Sequence, residues 1–222
     1  MGVDLQPNES CSVGKIAESA KSELRGRKKQ ATRDALADAA MRLALRHGLD
    51  QVRIEDIAQE ANVSVRTFSN YFSSKSEALI ARYMGGSLRA AAALRGRPAD
   101  EPLWDAITAA ILVPWQSVSR GHTAPDPTSV AELRVMFGAP ALQGEIVSAG
   151  LAAGNPFAAA VAARTGTDAG QDLYPRLVAA AVTAATQVAI GAFLQADPPI
   201  PLVPLLRKAL GQLAAGLPDP SA

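Results

Sequence analysis

Apolar residues recur at helical spacing from Thr32 onward. Leu36, Ala39, Ala40, Leu43 and Ala44 share one face, Arg33, Asp34 and Asp38 lie off it, and Gly48 stands where a C-terminal cap belongs. Ile54, Ile57, Ala58 and Ala61 form a second, shorter stripe, followed by Asn62-Val63-Ser64 and a third run from Val65 to Phe72. Ser73-Ser74 then precede Lys75, and a longer helix is expected to about Leu94, where Gly96 and Pro98 mark a break. Beyond it the pattern predicts helices over about 102–119, 128–137, 141–165 with a kink near Gly154-Asn155-Pro156, 170–196 and 202–216. No period-two strand pattern of useful length and no fixed-period repeat emerges. The reading is an all-α fold with a small front and a larger apolar back.

Composition adds limits to that picture. A chain of 222 residues can bury a real core without disulfides or metals. The single cysteine, Cys11, cannot pair within the chain and fits a reducing cytosol. No charged leader followed by an apolar segment and a small-residue cleavage site opens the sequence, so a cytoplasmic location is expected. The net charge of +1 conceals an asymmetry. Residues 1–95 hold 15 Lys+Arg against 11 Asp+Glu, whereas residues 96–222 hold 7 against 10. The first half is therefore suited to meeting a polyanion. Residues 1–24 read as a flexible or weakly helical tail, followed by a basic knot, Arg25-Gly26-Arg27-Lys28-Lys29.

Residues 54–72 carry the most information. Two short helices joined by a sharp turn can set the second into a DNA major groove if they cross closely. Ala58 is small where the crossing falls, Asn62 tolerates the left-handed conformation of a tight turn, and Ser64 can cap the next helix. Ile54, Ile57, Val63 and Phe68 would fill the space beneath. Val65, Arg66, Thr67, Ser69, Asn70 and Tyr71 would face outward, mostly short or hydrogen-bonding groups that can reach base edges and phosphates. Ser64, Arg53 and the knot residues Arg27, Lys28 and Lys29 join this candidate DNA surface, the knot acting as an arm along the minor groove or the phosphates.

The run Ile54-Glu55-Asp56-Ile57-Ala58, then Val63-Ser64, Thr67-Phe68, Tyr71-Phe72 and Lys75, behind a helix from Thr32-Arg33 to His47-Gly48, resembles the tetracycline-repressor family of bacterial transcription regulators. The resemblance covers about residues 30–82. It implies a DNA-binding domain over 25–74 with three helices, a connecting helix over 75–95, and a helical domain to residue 222 that binds ligand and dimerises. It also implies phosphate contacts for Thr67, Tyr71 and Lys75. Two positions depart from the family pattern, Asn62 for the usual Gly and Ser69 for a frequent Tyr, so the base preference of relatives does not transfer.

In the back half, Trp104, Ile107, Ile111, Trp115, Leu133, Met136, Phe137, Phe157 and Tyr174 are candidates to line a ligand cavity, with Leu142, Ile146, Val161 and Phe193 among the same large groups. The scarcity of charge there points to a mainly apolar effector. The stretch from Val130 to Arg164 also resembles a family subgroup thought to bind acyl-coenzyme-A-like ligands. Residues 177–196 contain no charged group and approach the length of a membrane span, but Ala, Gly191, Thr183, Thr186, Gln187 and Gln195 make them better suited to packing between helices. Leu173, Leu177, Ala181, Ala184 and Val188 on that helix, with Leu206, Leu210 and Leu213 on the last, are expected to form a dimer interface of four helices. His47 and His122 stand beside no plausible nucleophile, and no ligand-spaced cluster suggests a metal or another cofactor.

The resulting expectation is a homodimeric regulator, most simply a repressor. It binds double-stranded DNA at a palindromic operator, joins the nucleoid when bound, and is released by a small-molecule effector. An apolar-ligand carrier without DNA function, or an activator of the same fold, is the alternative.

Overall fold

The computed structural model describes residues 10–116, 126–152, 154–198 and 200–218, with side chains from Leu24 onward. Ten α-helices and no strand occur among the described residues. The front consists of α1 (Ser10–His47), a 3-10 turn (Leu49–Gln51), α2 (Ile54–Glu60) and α3 (Val65–Ser69). α4 (Lys75–Arg95) leads to the back, built from α5 (Leu103–Leu112) with a 3-10 turn (Val113–Trp115), α6 (Pro127–Gly138), α7 (Pro140–Leu151), α8 (Pro156–Thr165), α9 (Leu173–Gln195) and α10 (Leu202–Ala214).

Most helix ends follow local chemistry. Ser74 caps α4 by accepting from Glu77 N at 3.0 Å, and the Glu77 carboxylate accepts in return from Ser73 N and Oγ at 2.7 and 2.8 Å. Asp126 caps α6 with Pro127 behind it, and Gly166 closes α8 at φ +67°.

Three boundaries differ from the sequence expectation. α1 begins at Ser10 rather than Thr32, because no proline interrupts residues 10–31 and the two interior glycines, Gly14 and Gly26, are too weak as breakers to stop a helix. The basic knot is therefore helical and not an extended arm. α5 ends at Leu112, because Pro114 supplies no N–H to continue it. The helix expected over 141–165 is two helices, separated where Asn155 starts α8 ahead of Pro156. Residues 1–9, 117–119 and His122 lie outside the described residues, as does the Cys11 side chain.

Two apolar clusters hold the chain together. One runs from the front, through Leu36, Leu43, Ile57, Phe68, Phe72 and Leu79, into Leu133, Met136, Ile146, Ile190 and Leu206 of the back. The other joins Leu94, Ile107, Phe157, Val161, Val178 and Leu210. Each fully buried Leu, Ile or Phe contributes about 1.5–3 kcal/mol of transfer free energy. The first cluster packs front and back on one continuous core, so a movement of either is felt by the other.

Candidate nucleic-acid interface and small-molecule cavity

The corner between α2 and α3 is built as its residues dictate. Asn62 adopts φ +55°, the left-handed turn that Asn tolerates, and Val63 N returns to Ala58 O at 2.9 Å. Ser64 caps α3 by accepting from Thr67 N at 3.0 Å, and its hydroxyl also meets Thr67 Oγ1 at 2.9 Å. Ile57, Ala58, Phe68 and Phe72 are buried beneath, the two phenylalanine rings 5.7 Å apart. Outward stand Val65, 43% exposed, and Arg66, Ser69 and Asn70, while Thr67 and Tyr71 are half-buried. Glu60 anchors α2 to α1 through Arg42 and Arg46, at 3.0 and 2.8 Å. The Arg46 and Arg42 guanidiniums hold the Glu60 carboxyl below its usual range, so the tie persists through neutral pH.

Arg53 is exposed at the start of α2, and Arg27, Lys28 and Lys29 are exposed on α1. A groove of about 390 Å³ lies between α1 and the end of α3, lined by Gly26, Lys29, Gln30, Arg33, Asn70 and Tyr71. Arg33 stacks on the Phe72 ring at 4.6 Å, which fixes its guanidinium beside this groove. Gln30 and Arg33 are not among the DNA-surface candidates read from the sequence. Their spacing from Lys29 and Gly26 on one helix face is a usable signal only once α1 is known to extend so far back.

Lys75 departs from its expected role. Its ammonium donates to Leu49 O, Asp50 O and Val52 O at 2.9, 3.3 and 3.1 Å, closing the carbonyl end of the 3-10 turn. An ammonium has three protons to give, and here all three point to carbonyls of the turn, so Lys75 positions the turn that follows α1.

A cavity of about 660 Å³ opens between α1, α4 and the back helices. Ile111, Trp115, Leu133, Met136 and Phe157 line it as expected. Four other candidates do not. Ile107 is fully buried in the second core cluster, with Trp104 packed against that cluster, and Phe137 turns its buried ring edge-on to Tyr83 at 5.6 Å. Tyr174 is 45% exposed on the outer side of α9. The wall instead includes Met41 of α1 and Tyr83, Met84, Gly85 and Gly86 of α4, residues whose apolar or small character gave no hint of a shared cavity.

At the mouth, Arg82 of α4 pairs with Asp38 of α1 and, at 2.7 Å, with Glu132 of α6. Burial alone would lower the Arg82 pKa, yet its two carboxylate partners raise it, so the guanidinium stays charged where it ties three helices together.

The predicted dimer residues divide. Leu173, Leu177 and Val188 are 66%, 57% and 71% exposed on α9, with Ala184 exposed and Ala181 half-buried on the same face. Leu206 and Leu210 are fully buried within the protomer, because the stripe Leu202-Leu206-Leu210 faces inward, so they cannot meet a partner. Leu213 is half-buried. α9, and the apolar stretch Pro140–Thr165 that breaks into α7 and α8, are long enough by composition to cross a membrane. Both are packed elements of the helical back, with eight residues of α9 buried against it.

Residues 36–82 match the family described as bacterial regulatory proteins of the tetR family, and residues 101–218 match the MftR C-terminal domain. The chain belongs to the TetR family. HTH-type transcriptional regulator TcmR of Streptomyces glaucescens is 30% identical over 167 residues, 74% of each chain. Two solved TetR-family structures share the fold. One is a transcriptional regulator from Rhodococcus sp., at TM-score 0.51 and 19% identity over 84% of this chain and 98% of that one. The other is the repressor FadR of Thermus thermophilus in complex with lauroyl-CoA, at TM-score 0.53 and 20% identity over 86% and 97%. As a TetR-family protein the chain is a DNA-binding transcription regulator. Such regulators are generally cytoplasmic and generally not enzymes.

Proposed function

We propose that this TetR-family chain is a homodimeric repressor that binds a palindromic operator and leaves it when a mainly apolar effector fills the 660 Å³ cavity. The observation that carries the reading is the composition of the cavity wall. It takes Asp38 and Met41 from α1, a run of α4 from Ala81 to Ala90, and residues of α6 and α9. An occupant would touch at once the helix that backs α3, the connecting helix and the back domain. Binding that favours one arrangement of those helices would change the separation of two α3 segments related by a twofold axis, and with it the fit to half-sites spaced by whole turns of DNA.

On the DNA side, Val65, Arg66, Ser69 and Asn70 face out as base or phosphate contacts. Arg53, Thr67, Tyr71 and the basic helical stretch with Arg27, Lys28 and Lys29 support the duplex backbone. An acyl-coenzyme-A-like effector is the narrower reading. The lauroyl-CoA bound by the Thermus relative supports it. The mouth opposes a polyphosphate head, because Asp34, Asp38, Asp126 and Glu132 outnumber Arg82 and Arg89 there.

The test is selection of genomic DNA fragments by the purified protein, followed by titration of the recovered site. Palindromic enrichment and a salt-dependent affinity that Arg66→Ala weakens by about tenfold are expected. Recovery of no common site, or binding indifferent to Arg66, would refute the regulator mechanism proposed here.

A further inference from the structure

Most polar groups on the cavity wall are already spent. Thr183 and Thr186 hydroxyls donate to Ala179 O and Val182 O, both at 2.8 Å. The Asn155 amide donates to Gly150 O at 2.8 Å, and its carbonyl accepts from Phe157 N at 2.8 Å. Tyr83 differs. Its ring is held edge-on by Phe137, it lines the cavity, and its hydroxyl has no hydrogen-bond partner among the described residues. Burial pushes the phenol up to about 12, so it stays a neutral donor throughout the physiological range. The hydroxyl is open to the cavity, where water can reach it, since the one buried side-chain polar atom left unpartnered among the described residues is Gln187 Nε2, and a phenylalanine would fill the same space without loss of any bond within the protein. The hydroxyl is explained if something that enters the cavity completes its hydrogen bond.

We propose that the effector presents an uncharged oxygen acceptor, in the simplest case a carbonyl on an apolar body, and that the Tyr83 hydroxyl donates to it. The charge at the mouth agrees. Four carboxylates, Asp34, Asp38, Asp126 and Glu132, face two guanidiniums, Arg82 and Arg89, so a carboxylate or phosphate is repelled from the entrance. The body of such a molecule would lie against Met41, Met84, Met136, Ile111 and Trp115, of which the methionines adapt to shape. Tyr83 stands next to Arg82 on α4, so the contact is made on the helix whose neighbouring residue ties α1 to α6. This inference rests on the cavity being the effector site.

The test uses two probes of equal chain length, 2-dodecanone and dodecanoate, the latter below its micellar concentration, titrated by calorimetry into the full chain and into Tyr83→Phe. The ketone is expected to bind, to bind about tenfold more weakly to Tyr83→Phe, and to bind more tightly than dodecanoate. The thermal midpoint of unliganded Tyr83→Phe is expected to equal or exceed that of the parent, which separates a ligand contact from a structural one. Equal ketone affinity in both proteins, or tighter binding of dodecanoate, would overturn the assignment and leave the cavity standing as the effector site. Binding of neither probe overturns it as well. Ketone binding that depends on Tyr83 yet leaves the selected DNA bound would instead sink the reading of the cavity as the effector site.

Discussion

Asn155 holds two helix ends at once. Its carbonyl accepts from Phe157 N and Ala158 N to start α8, and its amide donates to Ala149 O and Gly150 O at the end of α7. The side chain is buried, so water cannot replace these bonds. Asn155→Ala is expected to cost about 2–3 kcal/mol, a lost cap plus unpaired carbonyls, read as a fall in the thermal midpoint followed by circular dichroism. Asn155→Asp keeps the acceptors but sets a carboxylate against two carbonyl oxygens, so it is expected not to rescue; wild-type stability in that variant would show the tie to α7 to be inert. Residues whose role is local were legible in the sequence in this way. Asn62 in its left-handed turn and Ser64 as a cap need only their neighbours to be understood. Tyr83 and Lys75 were not, since their meaning depends on which distant groups surround a phenol or an ammonium.

At the scale of elements, α4 is fastened at two points of its first half. Its first residue, Lys75, is bonded to the turn that follows α1, and further along Arg82 reaches α1 and α6 together. α4 is therefore fixed to the front at Lys75 and to both front and back at Arg82, so a shift of α4 is passed on to the front. Lys75→Met is expected to lower stability by about 1–2 kcal/mol and to weaken operator binding by loosening that joint. The slope of log affinity against log salt is expected to stay as in the parent. A phosphate contact at Lys75 would instead reduce that slope by about 0.9. The elements themselves were readable where apolar periodicity coincided with a cap or a proline, as at Ser74 and Gly166. The reading failed in α1, where a polar and charged stretch without an apolar stripe is helical all the same, and where continuity with a well-packed helix outweighs composition.

For the whole molecule, the exposed face of α9 decides how many copies act together. Leu173, Leu177, Ala184 and Val188 form an apolar stripe at helical spacing that a lone protomer leaves in water. Periodicity picked out this stripe on α9 but misassigned α10, because a leucine repeat marks a buried face without saying whether the covering surface is the same chain or a second copy. Leu206 and Leu210 are covered by their own protomer. A twofold interface across α9 would bury the stripe against itself, with Gly191 and Ala181 allowing the helices to come close. Leu177→Asp with Val188→Asp places two carboxylates on each side of that interface and leaves the buried face of α9 unchanged, since both side chains are more than half exposed. The double variant is expected to keep its helical content, to sediment as a monomer at micromolar concentration where the parent is a dimer, and to bind the selected operator at least about a hundredfold more weakly. The loss follows because each half-site would then be read without the high effective concentration that the linked partner supplies. A parent that sediments as a monomer, or a double variant that remains a dimer with unchanged affinity, would move the interface off α9.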